Sequence, residues 1–352
     1  MAKEVRQTLE QAKKQLEKDY GKGSVISGKE IVTEYDVIDT GSIGLNNILN
    51  IGGIPAKGKL IEVIGWESSG KSTLVQHIVA NAQKKYKVEK SNKKVLYVDG
   101  ENSIDRTYAT AIGIDLDELL IIQLDSSGGE GAYNKAEVLV KTGEIGLVVY
   151  DSYNSLQPKK LMEGEVGDST MGIHSRMLGQ AVMKANSLAT EFGTTFIFIG
   201  QLREKIGVMY GSPETTQGGN ALKFYTQIRL QVTRSTVEKN SMFNGDDKIG
   251  NKVTIKLLKT KFGAPFLKTE LDIIYGIGFD KFGELIRLGK EYDIFKVRAG
   301  VVTIEDLKYP EAEFRELIIN NEEFATALKE KIMEAMKSAP VIENIPSMEE
   351  KE

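Results

Sequence analysis

Short apolar runs alternate with helix-length segments through the middle of the chain. The runs that read as strands span residues 60–64, 95–98, 119–124, 147–150 and 194–199. Their apolar residues are consecutive rather than alternating, which is typical of strands buried on both faces. The pattern therefore predicts an α/β fold in which a doubly wound, mainly parallel sheet carries helices on both sides.

The two ends of the chain follow other patterns. After Gly218 the apolar runs come closer together, at 228–232, 253–258 and 271–274, which predicts antiparallel hairpins added to one sheet edge. From about Phe282 the pattern turns helical and predicts a small helical domain, carried by Leu317, Ile318, Phe324, Leu328, Ile332 and Met336. Residues 341–352 hold four glutamates and one lysine, and we expect a disordered acidic tail.

The N-terminal segment predicts one helix with a single apolar stripe. Apolar residues recur at helical spacing in a charged background, at Val5, Leu9, Ala12, Leu16 and Tyr20. Gly21 then supplies a stop signal, and residues 21–40 follow as a connector with strand-like pieces. The stripe either packs on its own domain or docks on a neighbouring subunit.

Composition excludes several kinds of site. The 46 Lys and Arg against 50 Asp and Glu argue neither for nor against nucleic acid. The absence of cysteine excludes disulfides, thiolate zinc sites and cysteine nucleophiles, and two histidines, His77 and His174, argue against a histidine metal cage. No apolar run approaches the roughly 18 residues that span a bilayer, and residues 1–20 lack the apolar centre of a signal peptide. We therefore expect a soluble cytoplasmic protein.

Residues 65–72 read GWESSGKS, which matches G-x-x-x-x-G-K-[ST] between a predicted strand and a predicted helix at 73–84. The glycines let successive backbone amides turn inward around phosphates, at a helix N-terminus whose dipole attracts anions. In such a P-loop Lys71 reaches the β- and γ-phosphates, and Ser72 offers its hydroxyl to magnesium. The alternative is a glycine-rich turn that ends in Lys-Ser by chance.

Two acids follow other predicted strands. Asp151 ends the run at 147–150, as the magnesium-binding acid of a Walker B strand does, although capping of the next turn explains it as well. Glu101 follows the run at 95–98, where a carboxylate is placed to orient water for hydrolysis. A solvated loop acid is the alternative for Glu101.

Five segments together resemble the bacterial RecA recombinases. They are KIGVMYGSPETTQGGNALKF at 205–224, GWESSGK at 65–71, EGEVGDS at 163–169, KTKFGAPF at 259–266 and YGKGS at 20–24. The twenty-residue match is highly specific, and the resemblance extends from about Leu9 to Met336. Trp66 replaces the usual proline of the P-loop, and Met183 stands where an arginine is common. Residues 301–309 are less basic than the region that guides duplex DNA in relatives.

The resemblance implies a site for ATP and Mg²⁺. The phosphates would lie on Gly65, Trp66, Glu67, Ser68, Ser69, Gly70, Lys71, Ser72 and Thr73. Ser72 and Asp151 would hold the metal, and Glu101 would activate water. Adenine would contact Asp105, Tyr108, Tyr275 and Gly276. Gln201 would sense the γ-phosphate, and Lys259 and Lys261 would reach the ATP of a neighbouring subunit, where the alternative is a solvated edge strand.

Residues 163–172 and 202–219 fall on the two DNA-binding loops of the family. Residue chemistry alone does not select them, because both carry glutamates and neither is a basic stripe. Their glycines can present amides to phosphates and an apolar residue can wedge between bases, which suits sequence-independent binding. The expected contacts are Met171, Gly172, Arg176, Arg203, Lys205, Ile206, Gly207, Gly218 and Gly219.

The resemblance implies an ATPase that forms helical homo-filaments on single-stranded DNA and exchanges strands with homologous double-stranded DNA, with no membrane partner. We expect an N-terminal polymerisation helix and connector at 1–40, a P-loop core at 41–280, a small α+β domain at 281–340 and the tail at 341–352. One alternative is a ring-forming helicase or translocase with the same core. Another is a recombination mediator that binds DNA and hydrolyses little ATP.

Overall fold

The computed structural model describes residues 8–30, 34–165, 172–204, 214–216, 218–235, 243–244 and 247–338. Four predicted DNA contacts, Met171, Lys205, Ile206 and Gly207, lie outside the described residues, as does the predicted tail. The chain divides into two compact units, Met1–Tyr35 and Asp36–Glu352. None of the described helices is long and apolar enough to cross a membrane.

The first unit contains the helix α1 (Leu9–Tyr20) and a 3-10 turn at Gly28–Glu30. A capping box starts α1, because the Thr8 side chain accepts from the amide of Gln11 while the Gln11 side chain accepts from the amide of Thr8. Gly21 ends it at a φ of 92°, where glycine is favoured. The predicted helix is confirmed over these residues, and Leu9 and Tyr20 are 75% and 78% exposed.

The second unit holds the remaining elements in chain order. Its strands are β1 (Val37–Ile38), β2 (Ile54–Pro55), β3 (Leu60–Gly65), β4 (Lys94–Asp99), β5 (Leu119–Gln123), β6 (Ile145–Asp151), β7 (Thr195–Glu204), β8 (Glu214–Thr216), β9 (Ile228–Arg234), β10 (Phe243–Asn244), β11 (Asp247–Lys248), β12 (Gly250–Thr260), β13 (Lys268–Ile274), β14 (Gly278–Phe279), β15 (Lys296–Arg298), β16 (Val301–Ile304) and β17 (Leu307–Pro310). Its helices are α2 (Ile43–Ile48), α3 (Lys71–Val88), α4 (Arg106–Ile112), α5 (Gly128–Val140), α6 (Lys159–Glu163), α7 (Ile173–Phe192), α8 (Ala221–Tyr225), α9 (Lys281–Glu291), α10 (Glu311–Asn320) and α11 (Glu322–Ser338).

One large sheet organises this unit, with the strand order β14-β13-β12-β9-β3-β7-β6-β4-β5. The strands from β9 to β5 in that order are parallel to their neighbours, and β12, β13 and β14 are added antiparallel at one edge. Both predictions are therefore confirmed. Because β3, β7, β6 and β4 are parallel neighbours, their carboxyl ends lie side by side.

Two hydrophobic cores cover the two faces of the sheet. The helices α2, α3 and α4 bury one face, which includes Ile61, Val63 and Val149. The helices α5, α7 and α8 bury the other, which includes Leu60, Val148 and Phe198. The central strands β3, β4, β6 and β7 contribute residues to both cores, and for this reason they read as nearly continuous apolar runs.

A third core lies in the C-terminal part of the chain, around Phe314, Ile318 and Ile332. The predicted helices are present, but the antiparallel strands β15, β16 and β17 lie between them. The helical pattern did not predict these strands, because each has only three or four residues and several of those residues, such as Leu307, are exposed. The expected α+β character of this part is therefore confirmed, and the purely helical domain that the apolar pattern alone predicts is wrong.

Glu284 joins α9 to α2. Its carboxylate accepts hydrogen bonds from the Ser42 hydroxyl at 2.5 Å and from the amides of Ile43 and Gly44 at 3.1 Å each. These donors lie at the N-terminus of α2, where a carboxylate satisfies amides that have no partner within the helix. Burial raises the pKa of Glu284, and the three hydrogen bonds act in the opposite direction.

Candidate functional site

The predicted P-loop joins the carboxyl end of β3 to the first turn of α3. Gly70 caps α3 at a φ of 94°, and a Cβ atom there would lie 2.5 Å from Cδ1 of Ile273. A Cβ atom on Gly65 would lie 2.3 Å from the carbonyl oxygen of Val232. Gly65 is therefore required by its close approach to the backbone of β9, and Gly70 by its left-handed backbone conformation.

Polar groups of the loop point into its own turn. The Lys71 ammonium is buried and donates to the carbonyl oxygen of Trp66 at 2.6 Å. Burial lowers the pKa of Lys71, while the nearby carboxylates of Asp151, Glu101 and Glu67 act against that shift. The hydroxyl of Ser69 is buried and has no hydrogen-bond partner among the described residues. An anion in this turn would satisfy both groups.

Asp151 ends β6 on the face that carries α3. It accepts a hydrogen bond from the Tyr97 hydroxyl at 2.6 Å. Burial raises the pKa of Asp151, and the nearby hydroxyls of Tyr97 and Ser72 oppose the shift. The structure thus brings together Ser72 and Asp151, two oxygen donors of the kind that Mg²⁺ prefers.

Glu101 lies in the loop after β4, which Asp99 shapes by accepting from the amides of Ser103 and Ile104 at 3.1 and 3.2 Å. The Oε1 atom of Glu101 accepts from Ser152 at 2.7 Å and from Ser155 at 3.0 Å. Sequence reasoning did not select these serines, although the polar stretch SYNS directly after an apolar strand was a signal. Glu101 is therefore exposed to solvent, and hydrogen bonds hold its carboxylate in place.

Gln201 completes this cluster from β7. Its Nε2 donates to Oε1 of Glu101 at 3.3 Å, and its amide donates to Oδ1 of Asn154 at 2.8 Å. The predicted strand end at residue 199 is wrong, because β7 continues to Glu204. The extension forms because residues 202–204 pair antiparallel with β8. A two-stranded ribbon thus links Gln201 directly to the second predicted DNA loop.

The predicted adenine contacts lie on two elements beside α3. Asp105 caps α4 by accepting from the amide of Tyr108, whose hydroxyl lies 3.1 Å from that of Thr73. Tyr275 and Gly276 form the turn between β13 and β14, and Tyr275 is half exposed. The strand β14 contacts α4, so these elements meet on one side of α3.

His77, the histidine of α3, has a packing role there. Its ring stacks on Phe279 at 4.0 Å between centroids, and its Nε2 accepts from the Phe279 amide at 2.9 Å. Burial lowers the pKa of His77 to about 3, so the ring is neutral and able to accept. A Cβ atom on Gly278 would lie 2.4 Å from this nitrogen, so the glycine lets β14 approach α3.

The ends of the two predicted DNA loops converge on the first turns of α7. Gly172 caps α7 at a φ of 76°, and Arg176 lies exposed one turn later. A Cβ atom on Gly218 would lie 2.2 Å from Leu178, and one on Gly219 would lie 3.6 Å from Ser175. Arg203 is exposed on the ribbon. Gly172 of the first loop and Gly218 and Gly219 of the second therefore lie together at the start of α7.

Lys259 and Lys261 lie near the amino ends of the parallel strands, whereas the P-loop lies at their carboxyl ends. Lys259 pairs in register with Arg229, which in turn pairs with Glu62 near the start of β3. The Lys259 ammonium donates to the carbonyl oxygens of Lys223 and Phe224 at 2.6 and 3.1 Å, which caps α8. Lys261 is exposed just beyond β12. Neither lysine is positioned to serve the P-loop of its own chain.

Comparisons with known proteins match this architecture. The family described as RecA N-terminal domain matches residues 7–280. Protein RecA of Porphyromonas gingivalis is 42% identical over 335 residues, 94% of this chain and 95% of that protein. Protein RecA of Salinispora tropica is 43% identical over 331 residues, 93% and 91% of the two chains. Protein RecA of Mycobacteroides abscessus is 42% identical over 337 residues, 95% and 94%.

These matches cover the P-loop, the sheet, the ribbon and the C-terminal elements. The resemblance seen in the sequence segments is therefore confirmed over nearly the full length of both this chain and its relatives. Together with the phosphate loop and the acids at the carboxyl ends of neighbouring parallel strands, they establish that the chain belongs to the RecA family.

Proposed function

We propose that this protein is a DNA-dependent ATPase that forms helical filaments on single-stranded DNA and exchanges strands with homologous double-stranded DNA. The observation that carries this proposal is the hydrogen bond from Gln201 to Glu101. One partner lies in the candidate nucleotide site, and the other lies on the strand that continues into a DNA loop. A change at either end of this connection alters the other. The cytoplasm is the proposed location.

ATP and Mg²⁺ fit the residues around the P-loop. The ammonium of Lys71, which donates to the carbonyl of Trp66, would turn to the β- and γ-phosphates. The Ser69 hydroxyl, for which the described part of the chain offers no hydrogen-bond partner, would find an acceptor. Ser72 and Asp151 would hold the metal, which supplies neutralisation of phosphate charge when bound. Tyr108, Asp105, Tyr275 and Gly276 would surround the base.

Glu101 would orient and deprotonate the attacking water. Its Oε1 atom accepts three hydrogen bonds, from Ser152, Ser155 and Gln201. Of these three donors, Gln201 alone lies on β7, so a shift of β7 on DNA binding would change the hydrogen bonding of the catalytic carboxylate. This arrangement accounts for stimulation of hydrolysis by DNA, with no covalent chemistry on the DNA itself.

Three measurements test the proposal. ATP turnover is measured with and without single-stranded DNA, assemblies are imaged by electron microscopy with a slowly hydrolysed ATP analogue, and strand exchange is followed with homologous and unrelated duplexes. We expect stimulated turnover, extended filaments and exchange with the homologous duplex alone. Closed rings on DNA would favour a translocase instead, because a heterologous interface either closes or continues as a filament. DNA binding without stimulation or exchange would favour a mediator.

A variant tests the connection itself. Gln201→Ala is expected to bind ATP but to lose stimulation by single-stranded DNA, since the ribbon no longer reaches Glu101. Turnover of the same variant without DNA serves as the internal control. Equal stimulation in the variant and the parent would contradict this part of the proposal.

A further inference from the structure

Tyr153 lies at the centre of a buried polar network that sequence reasoning did not select. The residue is fully buried, and its hydroxyl donates to Oε1 of Glu62 at 3.1 Å. Glu62 is itself fully buried in β3 and pairs with the Nε atom of Arg229 in β9. An ion pair out of water needs its remaining lone pairs satisfied, so the Tyr153 hydroxyl completes the coordination of the Glu62 carboxylate.

Tyr153 also lies where both predicted DNA loops join the core. Burial raises the pKa of its hydroxyl, and the side chain of Thr216, the last residue of β8 at the end of the second loop, lies near enough to oppose that shift. Its carbonyl oxygen lies 3.2 Å from Nε2 of His174, in the first turn of α7 after the first loop. A Cβ atom on Gly218 would lie 3.6 Å from its ring. The ends of both loops thus contact Tyr153, the second loop through its side chain and the first through its backbone carbonyl.

Tyr153 is also continuous with the nucleotide site. It follows Ser152, whose hydroxyl holds Glu101, and it precedes Asn154, which accepts from the amide of Gln201. A Cβ atom on Gly200, next to Gln201, would lie 2.3 Å from the Tyr153 hydroxyl. A displacement of this side chain therefore moves the residues that orient Glu101.

We propose that Tyr153 is a positioning residue, through which DNA bound at the two loops sets the geometry of Glu101. The inference rests on the proposed function, because it concerns how DNA stimulates hydrolysis. Its hydroxyl is bonded to Glu62 and lies beside Thr216, and the residues on either side of it in the chain hold Glu101 and Gln201. The Gln201 contact and the Tyr153 network are two connections between the same sites.

Tyr153→Phe tests the proposal, since it keeps the ring and removes only the hydroxyl. The ratio of turnover with single-stranded DNA to turnover without it is expected to fall by about tenfold, the effect of losing one hydrogen bond to a buried charged group. Tyr133→Phe is the matched control, because the Tyr133 hydroxyl is buried in the same core with no hydrogen-bond partner among the described residues. The control is expected to keep the parent ratio.

A second pair of variants separates coupling from folding. Thr216→Val removes the hydroxyl at the other end of the contact, and Thr216→Ser restores it. The ratio is expected to fall in Thr216→Val, to recover in Thr216→Ser, and to fall no further when Thr216→Val is combined with Tyr153→Phe, because interacting residues are not additive.

The outcomes distinguish this inference from the proposed function. If Tyr153→Phe keeps the parent's ratio of turnover with DNA to turnover without it, or if the losses in the double variant are additive, this inference alone is overturned. A loss of turnover that merely follows the loss of folded protein, measured by thermal melting, would overturn it as well. Absence of DNA stimulation in the parent protein would overturn the proposed function, and this inference with it.

Discussion

The ammonium of Lys71 is the cation that the P-loop holds inside its turn. It is buried, and it has a carbonyl oxygen rather than a carboxylate as its hydrogen-bond partner. Lys71→Ala is therefore expected to weaken nucleotide binding and to lower ATP turnover by at least about a hundredfold, because the phosphates lose a preorganised charge. Turnover and binding of a fluorescent ATP analogue measure the two effects.

The matched control for this prediction is Lys84→Ala. Lys84 lies on the same helix but is exposed more than three turns away, so its removal is expected to leave turnover unchanged. ATP turnover of Lys71→Ala at the parent rate would contradict the assignment of the P-loop.

At the residue scale the sequence predicted the members of the site that lie in local motifs. Lys71, Ser72 and Asp151 each have a local signal, and the structure brings them together. Tyr153 and Glu62 belong to no local motif, because they meet only through the pairing of β3 with its neighbours and are separated by 91 residues. A buried polar residue inside an apolar strand, such as Glu62, was the available signal.

At the scale of elements, burial decides what can be predicted. The central strands were predicted because both of their faces are covered, which leaves a continuous apolar run. The apolar pattern did not locate the strands β15, β16 and β17, since a short antiparallel sheet with exposed residues has no such run. The extension of β7 to Glu204 was missed for a related reason. It depends on a partner strand, and its residues alternate between buried Leu202 and exposed Arg203.

The contact between α9 and α2 allows a test at this scale. Glu284→Ala leaves three buried donors without an acceptor, at Ser42, Ile43 and Gly44, and is expected to lower the free energy of unfolding by about 3 kcal/mol. Glu284→Gln keeps one acceptor oxygen and is expected to lower it by about half as much. Thermal melting and urea unfolding measure both variants.

Glu291→Ala is the control for this test. Glu291 lies at the other end of α9 and makes an exposed ion pair with Arg287, so its loss is expected to change stability by less than about 1 kcal/mol. A Glu284→Ala protein as stable as this control would show that the carboxylate is not needed to cap α2.

At the scale of the whole molecule, the first question is what α1 does. Its apolar residues Leu9 and Tyr20 are exposed, and no residue of the helix is buried. Deletion of residues 1–19 is expected to leave the second unit folded but unable to form filaments, because the stripe would otherwise dock on a neighbouring subunit. Circular dichroism and electron microscopy with single-stranded DNA measure the two properties. Filaments of normal length from the truncated protein would show that the stripe serves its own subunit.

The second question is whether one subunit completes the ATP site of another. Lys259 is level with Glu62, three residues or roughly 10 Å along the sheet from Gly65, and β12 carries Lys261 farther away. The ammonium of Lys259 is held by the carbonyls of α8, and burial lowers its pKa. Any contact of these lysines with a γ-phosphate must therefore be made in a neighbouring chain.

Replacement of both lysines by alanine is expected to nearly abolish DNA-stimulated hydrolysis while the monomer stays folded, since a cation supplied in trans contributes ~10³ to 10⁵ in rate. The decisive measurement mixes this double variant with Lys71→Ala on single-stranded DNA. Where the intact P-loop of one protein meets the intact lysines of the other, a complete site is restored, so partial recovery of ATP turnover is expected. If joint filaments form and the mixture hydrolyses no more ATP than the two proteins do separately, the lysines do not act in trans.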